Sequence, residues 1–421
     1  MLITFVIILA FYLAFNLGAN DVANAMGTSV GSKAITLKQA LIVAGVLEFA
    51  GAALFGREVT ETLSTNVANP ELFANSPQSL ITGMISVLIA CGLWLQIATA
   101  RGLPVSSSHA VVGAIAGFSG VALGGKAIAW SSIGTITVGW VLTPVISGII
   151  AALFYSQIQR WILQQPNQLT QLNEWIPWLS TALIGAFGVI VLPTLTQPIT
   201  ELLGDKLGIQ IPQHDISLLI GGLVVFGLTV SGWQQLKVTE SENNLEKPAI
   251  ENPIERLFAR YQVLSACFVA FAHGSNDVGN AIAPLATIIY TIKNHAVPTA
   301  GIEIPLWIML IGAMGIVTGL AILGKKVIAT IGESIITLQP SSGFCAELAT
   351  ATTILLASRF GLPVSTSHAL VGGVVGIGLV KDFKSIQFST LKGIAAAWVI
   401  TLPASAGLSA VIFSLIRWIG F

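Results

Sequence analysis

Asn20, Asp21 and Asn24, and again Asn276, Asp277 and Asn280, place an acid between two carboxamides inside apolar sequence. On a helix, residues four apart share a face, so the two Asn of each set stand together with the Asp beside them. An ionisable group at membrane depth is costly and marks an ion or substrate pathway. No basic residue is read within several positions of either acid, so each carboxylate calls for a proton or a metal cation. Asn side-chain oxygens are hard ligands of the kind sodium takes. Helix–helix hydrogen bonding is the plainer role for a lone buried Asn or Asp. An identical triad occurring twice argues for a site.

A second string, G-L-P-V-S-S-S-H at 102–109, returns as G-L-P-V-S-T-S-H at 361–368. Gly ends one helix and Pro favours the first turn of the next. Ser106, Ser107 and Ser108, and likewise Ser365, Thr366 and Ser367, then sit at a fresh helix N-terminus. Free N–H groups and the helix dipole make such an end an anion site. Two of them facing each other would surround a tetrahedral oxyanion with donors. His109 and His368 follow directly, but a catalytic Ser and His are rarely sequence neighbours. A structural His hydrogen-bonded near the helix start is the favoured reading, a proton-linked role is the alternative, and the chain is not read as an enzyme.

The elements that position these residues are membrane helices. Of 421 residues, 54% are hydrophobic and 9% charged, whereas soluble domains carry roughly 25% charged residues. Apolar runs of spanning or near-spanning length lie near 2–17, 36–56, 80–100, 131–155, 178–195, 216–233, 305–323 and 391–417. Residues 2–16 lack the basic start of a signal peptide and read as a mature helix. Shorter runs near 109–124, 261–272, 278–292, 344–357 and 369–380, broken by polar clusters, suggest discontinuous helices or re-entrant hairpins. The fold class is all-α polytopic, with about 12 spans. The two motif pairs recur in one order, at offsets of 256 and 259 positions, the mark of a duplication. Residues 1–155 form a first transport repeat, 156–233 intervening transmembrane helices, 234–260 a polar inter-half loop and 261–421 a second repeat. Net charge is zero, so nucleic-acid binding has no support. Cys91, Cys267 and Cys345 lie in apolar runs and read as packing residues.

At these motifs the chain resembles the PiT family of inorganic phosphate transporters. G-A-N-D-V-A-N-A-M-G-T-S-V-G-S at 18–32, G-S-N-D-V-G-N-A at 274–281, both serine strings and P-S-S-G-F-C-A-E-L-A at 340–349 carry the likeness. The resemblance implies sodium- or proton-coupled phosphate symport, inverted-topology repeats and a multi-pass place in the plasma (inner) membrane. It implies cation ligands at Asp21, Asn24, Asp277 and Asn280, with sodium at Asp21 and Asp277 if sodium is the partner ion. It implies phosphate donors at Ser106 to Ser108 and at Ser365, Thr366 and Ser367. Asn24 and Asn280 are assigned to the phosphate as well, and Asn20 and Asn276 to the cation. Glu48 and Glu347 match acidic positions of the family, although Gly315 stands at the repeat counterpart of Glu48. The short central loop suits a prokaryotic member.

The reading is therefore alternating-access symport of inorganic phosphate with a monovalent cation, in a lipid bilayer and without a cofactor. A homodimer is compatible with it. Sulfate, a tetrahedral anion of similar size, is the alternative cargo; a passive channel and an intramembrane hydrolase are the rival classes. Arg101 and Arg359, before the two serine strings, read as snorkelling helix-end residues that could also attract anions.

Overall fold

The computed structural model describes every residue except 208–211, 213, 242–249, 251, 300, 332–335, 337 and 421. Helix accounts for 86% of the described residues, and no strand occurs among them. In chain order the helices are α1 (Leu2–Gly31), α2 (Leu37–Phe55), α3 (Arg57–Thr65), α4 (Pro77–Ala100), α5 (Ser107–Leu123) and α6 (Trp130–Ile158). Then come α7 (Gln168–Leu207), α8 (Asp215–Ser241), α9 (Pro253–Asn294), α10 (Leu306–Ile331), α11 (Pro340–Arg359), α12 (Thr366–Lys381) and α13 (Phe388–Trp418). Eight of the described helices are long and apolar enough to cross a bilayer; α5 and α12 are shorter apolar helices. In hydrocarbon every backbone polar group must be met within the segment, which is why these apolar runs are helical.

The break expected around Asn276 and Asp277 is not there. Residues 261–272 and 278–292 belong to one continuous 42-residue helix, α9, and Asn20, Asp21 and Asn24 lie within α1. The polar side chains find partners on neighbouring helices, so the ladder stays intact. The chain instead breaks at the serine strings. Gly102 and Gly361 take φ of 63° and 64°, a left-handed turn that glycine adopts without penalty. The Pro positions differ from the expectation as well. Pro104 and Pro363 lie in the extended tip, before the helix starts at Ser107 and Thr366. The polar stretch read as 234–260 is helical at both ends: α8 runs to Ser241 and α9 starts at Pro253. Its Glu242, Glu246, Lys247 and Glu251 lie outside the described residues.

The two hairpins, α4–α5 and α11–α12, are packed crosswise: α5 lies on α13 and α12 on α6. Glycines permit the approach. A Cβ on Gly117 would sit 2.2 Å from the Ala406 carbonyl oxygen, and one on Gly376 would sit 2.2 Å from that of Gly148. Backbone contact of this kind is how helices associate where lipid offers no hydrophobic drive. α1 packs on α10 and α9 on α2 and α11, so the long polar helices are enclosed.

Candidate functional site

Asn20, Asp21, Asn24, Asn276, Asp277 and Asn280 are all buried. Each set occupies the middle of a long helix and faces a hairpin tip. Asn20 Nδ2 donates to Thr99 Oγ1 at 2.9 Å, and Asn276 Nδ2 donates to Ser358 Oγ at 3.0 Å. Asn276 also donates to the Leu362 carbonyl at 3.1 Å and accepts from Val364 N at 3.2 Å. These first Asn residues hold the tips. The second ones turn inward: Asn24 Nδ2 donates to Asp21 Oδ1 at 3.1 Å and Asn280 Nδ2 to Asp277 Oδ1 at 3.3 Å.

The serine strings supply the facing wall. Ser106 and Ser365 cap α5 and α12, their hydroxyls accepting from His109 N and His368 N. Serine is a good cap because its oxygen meets one of the four orphan N–H groups of the first turn. Asn280 Nδ2 reaches Ser107 Oγ at 3.3 Å and Ser108 Oγ at 3.1 Å. Thr366 Oγ1 donates to Asp277 Oδ2 at 3.0 Å. The tips touch each other, with Ser108 Oγ donating to the Val364 carbonyl at 2.8 Å. Ser365 and Ser367 share a hydrogen bond of 2.9 Å.

One atom each of Asp21, His273 and Asp277 lie within 4.8 Å of one another, all buried. His273 Nε2 is 2.9 Å from Asp277 Oδ2, and its Nδ1 is 3.0 Å from Glu48 Oε1. Both are ion-pair distances, although neither is aligned as a hydrogen bond. His273 thereby links Glu48 to the aspartates. The sequence reading that Asp277 has no basic neighbour is corrected here. His273 stands one helical turn before it, and that four-residue spacing was the available signal. Among the described residues, buried oxygens of Asn20 (Oδ1), Asp21 (Oδ2) and Asn280 (Oδ1) have no hydrogen-bond donor. Acceptor oxygens left unmet are what a hard cation, or a protonated anion, satisfies.

Glu347 does not join this group. Its Oε1 accepts from Thr28 Oγ1 at 2.6 Å, Ser29 Oγ at 2.7 Å and Gln262 Nε2 at 3.2 Å, and its Oε2 from Ser265 Oγ at 2.8 Å. Thr28 is two turns beyond Asp21 on α1, roughly 10 Å along the axis. The sequence had no means of separating Glu347 from Glu48, since only tertiary packing chooses which polar cluster each joins. Arg359 is exposed at its tip, with Nη1 3.9 Å from Glu58 Oε1, the side chains 57% and 43% accessible.

Many apolar helices, two half-helix tips meeting at depth and buried carboxylates between them define a membrane transporter rather than an enzyme. The chain belongs to the phosphate transporter family, whose sequence profile matches residues 17–409. It is 38% identical over 414 residues to a Haemophilus influenzae protein provisionally named phosphate permease, covering 98% of this chain and 96% of that one. It is 38% identical over 424 residues to the Arabidopsis thaliana inorganic phosphate transporter 2-1, chloroplastic, covering 96% of this chain and 70% of that one. A solved structure described as the sodium-dependent phosphate transporter superposes with a TM-score of 0.86 at 34% identity, covering all of both chains.

Proposed function

We propose that this chain carries inorganic phosphate together with a monovalent cation, sodium before proton, by alternating access across the plasma membrane. The observation that carries this is the meeting of Asp21, Asp277 and His273 within 4.8 Å, under two serine-rich half-helix ends. The sodium-dependent name of the structural neighbour supports sodium as the partner ion. Residues 1–155 and 261–421 serve as the two transport repeats, inverted relative to each other. Residues 156–233 are membrane helices outside them, and 234–260 joins the halves.

Asp21 and Asp277, with Asn20, Asn276 and Glu48 around them, form the cation position in this proposal. Ser106 to Ser108, Ser365 to Ser367, Asn24 and Asn280 receive the phosphate. Glu347 is a second cation position along α1, where Thr28 and Ser29 add hydroxyl oxygens. An anion beside unneutralised carboxylates is repelled by about 4 kcal/mol per pair at 4 Å and an effective dielectric near 20. That is roughly a thousandfold in affinity. A bound cation removes the penalty, so each solute favours the other, and this reciprocity is the coupling. The unmet oxygen of Asn280, on the phosphate side of the site, favours phosphate over sulfate. A hydrogen phosphate can donate to it and a sulfate dianion cannot.

The test is labelled phosphate uptake into proteoliposomes under imposed sodium or proton gradients. A sodium gradient is expected to drive accumulation, with sulfate competing weakly. Uptake that stops at equilibration under both gradients would sink symport and leave a passive pore.

A further inference from the structure

His109 and His368 lie behind the site. The two rings meet edge to face with centroids 4.8 Å apart. His109 packs on Trp140 at 3.9 Å and His368 on Trp398 at 3.7 Å. Both imidazoles are buried, 7% and 5% exposed. His109 Nδ1 is 3.2 Å from the Trp398 carbonyl oxygen, and His368 Nδ1 is 3.1 Å from that of Trp140. A carbonyl only accepts, so each Nδ1 carries the hydrogen.

The bonds cross between the halves: α5 is held by α13 and α12 by α6. The Trp140 carbonyl has a specific need for this donor. Its helical partner would be the N–H of residue 144, and residue 144 is Pro144. A proline inside a helix leaves the carbonyl four residues back without a bond, and a bare carbonyl in the membrane is costly. The indole nitrogen of Trp140 also donates to the Pro363 carbonyl at 2.9 Å, so one residue of α6 grips the α11–α12 tip at two points. In α13 the matching proline is Pro403. It frees the Val399 carbonyl, and His109 uses the adjacent one.

Residues two apart on a helix point about 200° from each other. Ser107 touches Asn280 while His109 touches α13; Thr366 touches Asp277 while His368 touches α6. Each half-helix is thus pinned on both sides. We propose that His109 and His368 are positioning residues, each seating its own serine tip on the proline-broken helix of the other half. The transport arm of the test rests on the phosphate reading above; the exchange arm does not.

Asparagine puts an amide nitrogen where Nδ1 stands, and glutamine puts it where Nε2 stands. His368→Asn is expected to keep the phosphate KM within about twofold, and His368→Gln to raise it about fivefold to tenfold with kcat little changed, the effect of one lost hydrogen bond. Pro144→Ala returns the helical N–H to the Trp140 carbonyl, so in that background His368→Gln should raise KM by less than about twofold. In phosphate-free hydrogen–deuterium exchange, the segment 360–371 should exchange faster in His368→Gln than in His368→Asn. If the His368→Gln chain does not accumulate, His109→Gln against His109→Asn carries the same comparison at segment 101–112. Equal KM and equal exchange for the Gln and Asn variants, or an undiminished KM rise in the Pro144→Ala background, overturns the proposal. A wild-type protein that neither binds nor carries phosphate overturns the phosphate reading, while the exchange arm still judges the clasp.

Discussion

His273 has both ring nitrogens against acids, Glu48 on one side and Asp277 on the other, with no exposure to solvent. Removing one member of such a buried set leaves an uncompensated charge, which costs about 3–5 kcal/mol. His273→Leu is therefore expected to lower the amount of folded protein and to lower uptake by at least about tenfold. Adding Glu48→Gln should recover folding, read by detergent-solubilised thermal stability, without recovering uptake. Full uptake in the single variant would show that transport does not need the histidine between Glu48 and Asp277. Asp21→Asn and Asp277→Asn keep size and hydrogen bonding but remove the charge. Both should flatten the sodium dependence of phosphate uptake, and unchanged dependence in both would take the aspartates out of coupling. The aspartates, carboxamides and hydroxyls of the candidate site were legible in the sequence because they recur as fixed strings in apolar surroundings, and Glu48 only because it stands alone in an apolar run. His273 was marked only by its four-residue spacing from Asp277, its contact with Glu48 being made by the fold, and the polar cage of Glu347 was not legible at all, since it is assembled from residues up to 319 positions apart.

At the scale of elements, the half-helices α5 and α12 were foreseeable from Gly and Ser punctuation around runs too short to span. The continuity of α9 was not. Polar residues read as a break when their partners on α5, α11 and α12 are unseen. The crosswise packing left a trace only in its glycines. Gly376→Ala would push a methyl carbon against the backbone of Gly148, whereas a methyl carbon added at Gly407 would meet nothing within 4 Å. Gly376→Ala is expected to destabilise the protein by about 1–3 kcal/mol, and Gly407→Ala to leave it within about 0.5 kcal/mol. Thermal denaturation in detergent reads the difference; equal melting temperatures would mean that α12 and α6 can separate freely. Thr366→Ala removes the hydroxyl that donates to Asp277. It should raise the phosphate KM about fivefold, measured by uptake at saturating sodium.

For the molecule as a whole, neither half is complete. The α4–α5 hairpin needs α13, and the α11–α12 hairpin needs α6. Residues 1–241 and 253–421, made as separate polypeptides in one cell, should therefore restore phosphate uptake together and give none singly. Uptake from either piece alone would contradict the interlocked arrangement. The same interlock has a bearing on biogenesis. The ribosome delivers α5 long before α13, which begins at Phe388. For most of translation the first hairpin waits in lipid with its glycine face and His109 unmatched. A premature stop near Lys381 would strand it there for good. Such a chain carries every residue of the candidate site and still leaves bare the face of α5 that α13 covers, so a half-helix complete in sequence is unfinished in packing until α13 arrives.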